Sequence, residues 1–222
     1  AGAALIELGI PSPDPTAEGP VIQAANGRAL AAGTTTDKIF EMVRRLRQDV
    51  TVPMVFMTYA NVVFSYGTER FLSTAAEIGM DGLILPDVPY EEKEEFAPVC
   101  RKYGLDFISL IAPTSQGRIA RIAQEAEGFL YCVSSLGVTG VRGEITTDVG
   151  RMVRLAKQAQ PSLPCAVGFG VSTPEQGAVM ARAADGVIVG SAIVKLFAQY
   201  GREAVPQIRD YVAAMKTAVS RA

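Results

Sequence analysis

Histidine is absent from the 222 residues of this chain. Histidine is the commonest metal ligand and the side chain best suited to proton transfer near neutral pH. Its absence excludes a histidine-based catalytic triad and a histidine-ligated metal site. Any acid–base chemistry must therefore come from Asp, Glu, Tyr, Lys or Cys.

Cysteine is scarce and its positions are far apart. The three cysteines, Cys100, Cys132 and Cys165, have the spacing of neither a zinc site nor a disulfide framework. We therefore expect no metal site and a reducing, cytoplasmic location.

Long apolar runs and basic clusters are also missing. No apolar run approaches the ~20 residues of a membrane span, and no signal peptide is visible at the start. The net charge is −2, and lysine and arginine are scattered along the chain. The sequence therefore predicts neither nucleic acid nor membrane as a partner.

What the chain does contain is an alternation of short apolar runs with helical patterns. Most of the runs are continuous, as in parallel strands covered on both faces. The predicted strands are residues 4–8, 53–58, 82–85, 106–111, 129–133, 165–168 and 186–189. Seven β-then-α units predict a parallel α/β fold in one domain, residues 1–222. An open doubly wound sheet and a closed (β/α)8 barrel both remain open here, and the barrel needs one more strand.

Two glycine-bearing loops favour the barrel. VGFGVSTPEQ, residues 167–176, follows the sixth predicted strand, and IVGSAIVKL, residues 188–196, contains the end of the seventh. Gly170 and Gly190 allow close backbone approach, and the N–H groups around Ser191 would begin a helix. Barrels often bind phosphate with the loops after their last two strands. The alternative is that these glycines only end strands, but two consecutive loops of this kind favour a phosphate site.

A long glycine-rich loop follows the fifth predicted strand. SSLGVTGVRGEITT, residues 134–147, has no apolar periodicity. A loop of this length in a compact fold is usually a lid or a binding loop, and a plain surface loop is the alternative.

Glu7 is an ionisable residue inside an apolar run. Side chains alternate along a strand, so Ile6 and Leu8 share one face, and Glu7 points to the other. A carboxylate buried without a partner is costly, so it pairs, protonates or serves chemistry. An apolar surrounding would raise its pKa towards the range of a general acid, and a structural salt bridge is the alternative.

Two more acids lie in the proline-rich loop that follows. The prolines restrict the loop that carries Asp14 and Glu18, and this reduces the entropy cost of holding an acid in place. Either residue could instead belong to an ordinary turn. Tyr59, Tyr131 and Phe169 lie at or near strand ends and together could wall an aromatic substrate, although each alone is typical of core packing.

Several motifs, in order along nearly the whole chain, resemble the tryptophan synthase α subunit family. They are ELGIPSPDPTAEGPVIQ from Glu7, MTYAN from Met57, LPDVP from Leu85, SSLGVTG from Ser134, GFGVSTPEQ from Gly168 and GSAIVK from Gly190. The resemblance implies a (β/α)8 barrel and a carbon–carbon lyase of tryptophan biosynthesis. Its reaction is the retro-aldol cleavage of indole-3-glycerol phosphate to indole and glyceraldehyde 3-phosphate. Seven visible βα units would then mean a barrel that lacks its first strand and helix.

The resemblance also implies roles for individual residues. Glu7 matches the catalytic acid–base that protonates the indole ring, and Glu18 the second acid that holds the indole N–H. Thr139 matches a lid residue that bonds the second acid, and Asp14 a residue of communication with the β subunit. Gly140, Gly170, Gly190 and Ser191 match the residues that hold the phosphate, and Tyr131 matches a residue that lies against the substrate. Tyr59 and Phe169 are predicted as further substrate-binding residues from their positions near strand ends.

The implied partner is a β subunit in an αββα assembly, which receives the indole and carries pyridoxal phosphate. The α subunit would carry no cofactor and no metal. Two positions depart from the family pattern: Glu18 stands where aspartate is common, and Ser12-Pro13 replaces an aromatic-serine pair. Two other functions are weighed against this one: a phosphosugar isomerase or epimerase, and a ligand-binding activator of the β subunit without turnover.

Overall fold

The computed structural model describes residues 1–134, 142–168 and 170–222 as a parallel α/β structure. It contains two compact units. The first is Ala4–Ile108, and the second combines Ala1–Ala3 with Ser109–Ala222. Each unit has its own four-stranded parallel sheet.

The first unit carries a sheet in the order β1-β2-β3-β4, with every neighbouring pair parallel. A short 3-10 helix, Tyr90–Glu95, precedes its last α-helix. Its elements are β1 (Ile6–Gly9), α1 (Pro20–Ala31), α2 (Thr36–Leu46), β2 (Met54–Met57), α3 (Ala60–Tyr66), α4 (Thr68–Glu77), β3 (Gly82–Ile84), α5 (Ala97–Lys102) and β4 (Asp106–Phe107).

The strand register of the first unit separates its two faces. Leu8 pairs with Phe56, and Phe56 pairs with Leu83. All three pack in the hydrophobic cluster that also contains buried side chains of α2 and α4. The opposite face therefore carries the alternate residues, among them Glu7 and its pairing partner Val55.

The second unit carries a parallel sheet in the order β5-β6-β7-β8. Two 3-10 turns, Pro113–Ser115 and Gly201–Glu203, lie among its connections. Its elements are β5 (Leu110–Ile111), α6 (Ile119–Glu125), β6 (Leu130–Val133), α7 (Arg142–Ala159), β7 (Cys165–Gly168), α8 (Pro174–Ala181), β8 (Gly186–Val187), α9 (Ser191–Tyr200) and α10 (Ala204–Ser220).

All seven predicted strand regions contain strand structure, and one of them is divided. Residues 106–111 form β4 and β5, because the first of these residues bond to β3 and the last to β6. The Ile108 N–H donates to the Leu83 carbonyl, whereas the Ser109 carbonyl accepts from the Tyr131 N–H. A change of pairing partner within one apolar run leaves no trace in hydrophobic periodicity.

None of the helices within the described residues combines the length and the apolar character needed to cross a membrane.

Candidate active site

Glu7 lies in β1 on the face opposite the hydrophobic core. Ile6 and Leu8 both pack against that core, in agreement with the alternation read from the sequence. The Glu7 backbone pairs with buried Val55, and the next strand has Gly82 in register. A Cβ at Gly82 would lie 3.2 Å from a methyl group of Val55, so glycine keeps this row of the sheet closely packed.

Burial dominates the electrostatics of Glu7. Part of the residue stays exposed, but protein atoms surround most of the carboxyl group, and this burial raises its pKa from 4.5 to about 7. Over the parts of the chain that the structure describes, no ion pair joins Glu7 to a basic side chain. A carboxyl group with this pKa can both give and take a proton near neutral pH.

Glu18 lies in the β1–α1 loop, and its carboxylate is held by a neighbouring helix. Asn26 of α1 donates its side-chain N–H to Glu18 Oε2 at 2.6 Å. Burial raises the pKa of Glu18, while hydrogen bonds from Asn26 and from Tyr59 act in the opposite direction. Glu18 is therefore a partly buried carboxylate with two donors around it.

Tyr59 connects this loop to the next strand. It is buried between the end of β2 and the start of α3. Its hydroxyl accepts from the Ala17 N–H at 3.1 Å and bonds to the Glu18 carboxylate. Burial is the largest cause of the raised pKa of Tyr59, and the negative charges of Glu18 and Asp87 raise it further. The sequence predicts Tyr59 as an aromatic residue beside the substrate, and the structure adds its polar contact with Glu18.

Asp14 is exposed, beside two concave surfaces of the first unit. Its N–H donates to the side chain of buried Ser12 at 3.3 Å, which fixes the turn. One cavity of about 400 Å³ is lined in part by Ile10, Pro11, Pro13, Asn61 and Tyr66. The other, of about 370 Å³, is lined in part by Ser12, Asp14, Asn26 and Leu30.

Tyr131 occupies β6 in the second unit, with its ring against β7. A Cβ at Gly168 would lie 2.5 Å from the Tyr131 hydroxyl oxygen and 2.7 Å from two ring carbons. Gly168 is thus required for the position of this ring, a role that sequence reasoning missed. The sequence feature that could have indicated this role is the position of Gly168 at the end of a predicted strand. Ser134 closes the same strand end by donating its hydroxyl to the Gly168 carbonyl at 3.1 Å.

The two glycine-bearing loops also belong to the second unit. Gly170 has a φ of +79°, a conformation that favours glycine. Gly190 is the N-cap of α9, with open space where a Cβ would stand, and Ser191 begins the helix. The first N–H groups of a helix lack partners within it, so this end can receive an anion.

The loop after Gly170 is fixed by bonds of its own. Thr173 and Gln176 form a reciprocal cap at the start of α8, and Gln176 Oε1 also accepts from the Ser172 N–H at 2.9 Å. From α10, the Tyr211 hydroxyl donates to the Ser172 carbonyl at 2.9 Å. The two loops therefore both lead into helix N-termini of the same unit.

Three predicted site residues, Thr139, Gly140 and Phe169, lie outside the described residues. Among the described ones, no group of three or more His, Cys, Asp or Glu side chains is arranged to hold a metal ion.

The sheets place the structure in the parallel α/β class, and a buried carboxyl group with a pKa of about 7 makes Glu7 a candidate acid–base group. Comparison with known proteins narrows this class. The sequence model described as "Tryptophan synthase alpha chain" matches residues 1–220. The chain therefore belongs to the tryptophan synthase alpha chain family.

Individual relatives agree over nearly the whole chain. The tryptophan synthase alpha chain of Lacticaseibacillus casei is 48% identical over 218 residues, which cover 98% of this chain and 82% of the relative. That of Citrifermentans bemidjiense is 50% identical over 221 residues, covering 99% and 82%.

Solved structures show the same fold. Tryptophan synthase subunit alpha from Legionella pneumophila superposes with a TM-score of 0.88 at 38% identity, covering 100% of this chain and 83% of that one. A tryptophan synthase complex from Pyrococcus furiosus gives 0.85 at 34% identity, covering 97% and 87%. The fold class is that of the (β/α)8 barrel, as the resemblance implies, and the doubly wound alternative is wrong.

Proposed function

We propose that this chain cleaves indole-3-glycerol phosphate to indole and glyceraldehyde 3-phosphate, with Glu7 and Glu18 as its catalytic groups. Tryptophan synthase alpha chains are lyases that cleave this substrate, and family membership favours this reaction over that of a sugar isomerase or epimerase. The observation that carries the residue assignment is the pKa of Glu7, which burial raises to about 7.

Glu7 is the proposed acid–base. Its protonated form donates a proton to the ring carbon of indole that bears the glycerol phosphate chain. The bond from this carbon to the chain then breaks, and its electron pair restores the aromatic ring. The adjacent hydroxyl of the chain loses its proton to the Glu7 carboxylate and becomes the aldehyde. A group with a pKa near the working pH serves both transfers efficiently.

Glu18 is the proposed partner of the indole nitrogen. Protonation of the ring carbon places positive charge on the ring, and an ionised carboxylate at the N–H stabilises that charge. The donors Asn26 and Tyr59 support this role, because they favour the ionised form of Glu18. Without them, burial alone would act against the charge.

The phosphate is the proposed ligand of the glycine-bearing loops. The φ of Gly170, the open space at Gly190 and the start of α9 at Ser191 support this assignment. We assign Tyr131 to the substrate from its place on β6 beside Gly168. Thr139, Gly140 and Phe169 are assigned from the family motifs that contain them, and Tyr59 from its place beside Glu18.

The partner in the family is the β subunit, which carries the pyridoxal phosphate, and the α chain needs no cofactor of its own. We assign the coupling role to Asp14, which is exposed beside two concave surfaces of its unit. We further propose that the enzyme works in the cytoplasm, in agreement with its three free and buried cysteines.

The test is indole release from indole-3-glycerol phosphate, with and without the β subunit, by the wild type and Glu7→Gln. Loss of a general acid–base typically costs about 10²–10⁴ in rate, so we expect kcat of Glu7→Gln to fall by that factor. Glu77→Gln is the matched control, because Glu77 is an exposed residue at the end of α4. Unchanged turnover in Glu7→Gln would remove Glu7 from the mechanism, and a wild type without release in either setting would refute the proposed function.

A further inference from the structure

We propose that Asn26 is a positioning residue that holds the Glu18 carboxylate in its catalytic place through a direct hydrogen bond from α1. The proposal rests on the proposed function, because it matters for turnover only if Glu18 acts on the substrate. Neither the composition nor the family motifs single out Asn26.

The contact is direct and joins residues that are eight positions apart. Glu18 precedes the N-cap of α1, and its carboxylate accepts from the side-chain amide of Asn26 within that helix. The distance from Asn26 Nδ2 to Glu18 Oε2 is 2.6 Å, which is short even for a bond to a charged acceptor. Asn26 also lines the cavity beside Asp14, so the pair lies at a concave surface of its unit.

The length of Glu18 gives this bond its importance. The family commonly has aspartate here, and the extra methylene of glutamate adds a rotatable bond to a side chain in a loop. A flexible acid spends less time in one orientation, and ordering it costs side-chain entropy. The bond from the helical residue Asn26 selects one orientation and so compensates for the added freedom.

Among the described residues, few other groups near Glu18 influence its charge. Tyr59, which follows β2, bonds to the same carboxylate, and Asp87, which follows β3, affects Tyr59 by its charge. Asp87 itself accepts from the Ala60 N–H at 3.1 Å. Removal of Asn26 would therefore leave Tyr59 as the remaining described donor to Glu18. The pKa of Glu18 would then rise, which favours the protonated acid.

The experiment compares Asn26→Ala with the wild type in the full chain with the β subunit present. Loss of a hydrogen bond to a charged group costs enough free energy to lower kcat about tenfold. We expect a smaller change in KM. The acidic limb of the kcat profile should move to higher pH, because Glu18 loses a donor to its ionised form. Asn26→Asp should move that limb further, since it places a second carboxylate beside the first. Alanine is the stronger helix former, so Asn26→Ala keeps α1 intact.

Gln23→Ala is the matched control. Gln23 is also an amide residue of α1, but it donates to the main-chain carbonyl of Glu18, at 2.8 Å, and not to the carboxylate. Its loss should leave the acidic limb where it is in the wild type. If Gln23→Ala and Asn26→Ala shift the limb equally, the effect is that of loop anchoring and the proposal is overturned.

Glu18→Gln separates failure of this inference from failure of the proposed function. If Glu18→Gln retains wild-type turnover, the catalytic role of Glu18 is wrong and the role of Asn26 falls with it. If Glu18→Gln is impaired but Asn26→Ala has the kcat and pH profile of the wild type, only the positioning role is overturned.

Discussion

At the scale of single residues, the burial of Glu7 links reactivity to stability. The pKa of Glu7 rises from 4.5 to about 7 in the folded chain, so between these values the folded state binds more protons than the unfolded state. The free energy of unfolding therefore falls as the pH rises through this window, and the contribution of Glu7 is most favourable below it. The same burial that supports the proposed acid role of Glu7 destabilises the fold at higher pH.

We predict that Glu7→Gln stabilises the chain at alkaline pH while it abolishes most turnover. Because glutamine carries no charge to bury, its free energy of unfolding should exceed that of the wild type by about 1–3 kcal/mol at about pH 8. The difference should disappear near the unfolded pKa of 4.5. Urea denaturation at several pH values measures it, with Glu77→Gln as the control. A variant less stable than the wild type at alkaline pH would contradict the raised pKa.

At the scale of elements, the proposed site residues of each unit lie at or after the ends of its strands. Glu18 and Tyr59 follow β1 and β2, while Gly170 follows β7. Parallel strands within one sheet end on the same edge, so each sheet gathers its loops there. Close packing between neighbouring strands then decides which side chains fit, as at Gly168 beside Tyr131.

We predict that Gly168→Ala destabilises the β6–β7 pair. The added methyl would stand 2.5 Å from the Tyr131 hydroxyl oxygen. Overpacking of this kind costs about 1–3 kcal/mol, and the displaced ring should also raise KM for the substrate. Urea denaturation and steady-state kinetics measure the two effects. Gly117→Ala is the control, because its Cβ would meet no atom within 4 Å. Equal stability of the two variants would show that the Tyr131 ring moves aside freely.

At the scale of the whole molecule, the proposed assembly with a β subunit makes Asp14 the residue at which coupling can be tested apart from chemistry. Asp14 is exposed, and its loop replaces the family's aromatic-serine pair with buried Ser12 and exposed Pro13. This replacement does not alter Glu7 or Glu18, the two proposed catalytic acids. We therefore expect partner response and catalysis to be affected by different residues of the same β1–α1 connection.

We predict that Asp14→Ala reduces activation by the β subunit about tenfold, in the range of typical coupling free energies. Indole release by the chain alone should stay at the wild-type rate, because the Asp14 side chain is exposed and makes no described contact with Glu7 or Glu18. Asp49→Ala is the control, since Asp49 is an exposed acid beyond the end of α2. The ratio of rates with and without the β subunit measures the coupling. Full activation of Asp14→Ala would refute the coupling role.

The amino-acid sequence by itself determined the strand regions, the glycine-ended loops and the family. It also determined that Glu7 faces away from Ile6 and Leu8. These features depend on local geometry, because side-chain alternation in a strand and the conformational freedom of glycine are properties of a few adjacent residues.

Tertiary structure alone decided the other features. The division of residues 106–111 into two strands depends on which strand each half pairs with. The pKa of Glu7 depends on the atoms packed around it, and Tyr59 reaches Ala17 from 42 residues away. Asn26 reaches Glu18 because α1 turns it towards the loop. Burial and hydrogen bonding are sums over neighbours in space, and folding brings those neighbours together from distant parts of the chain.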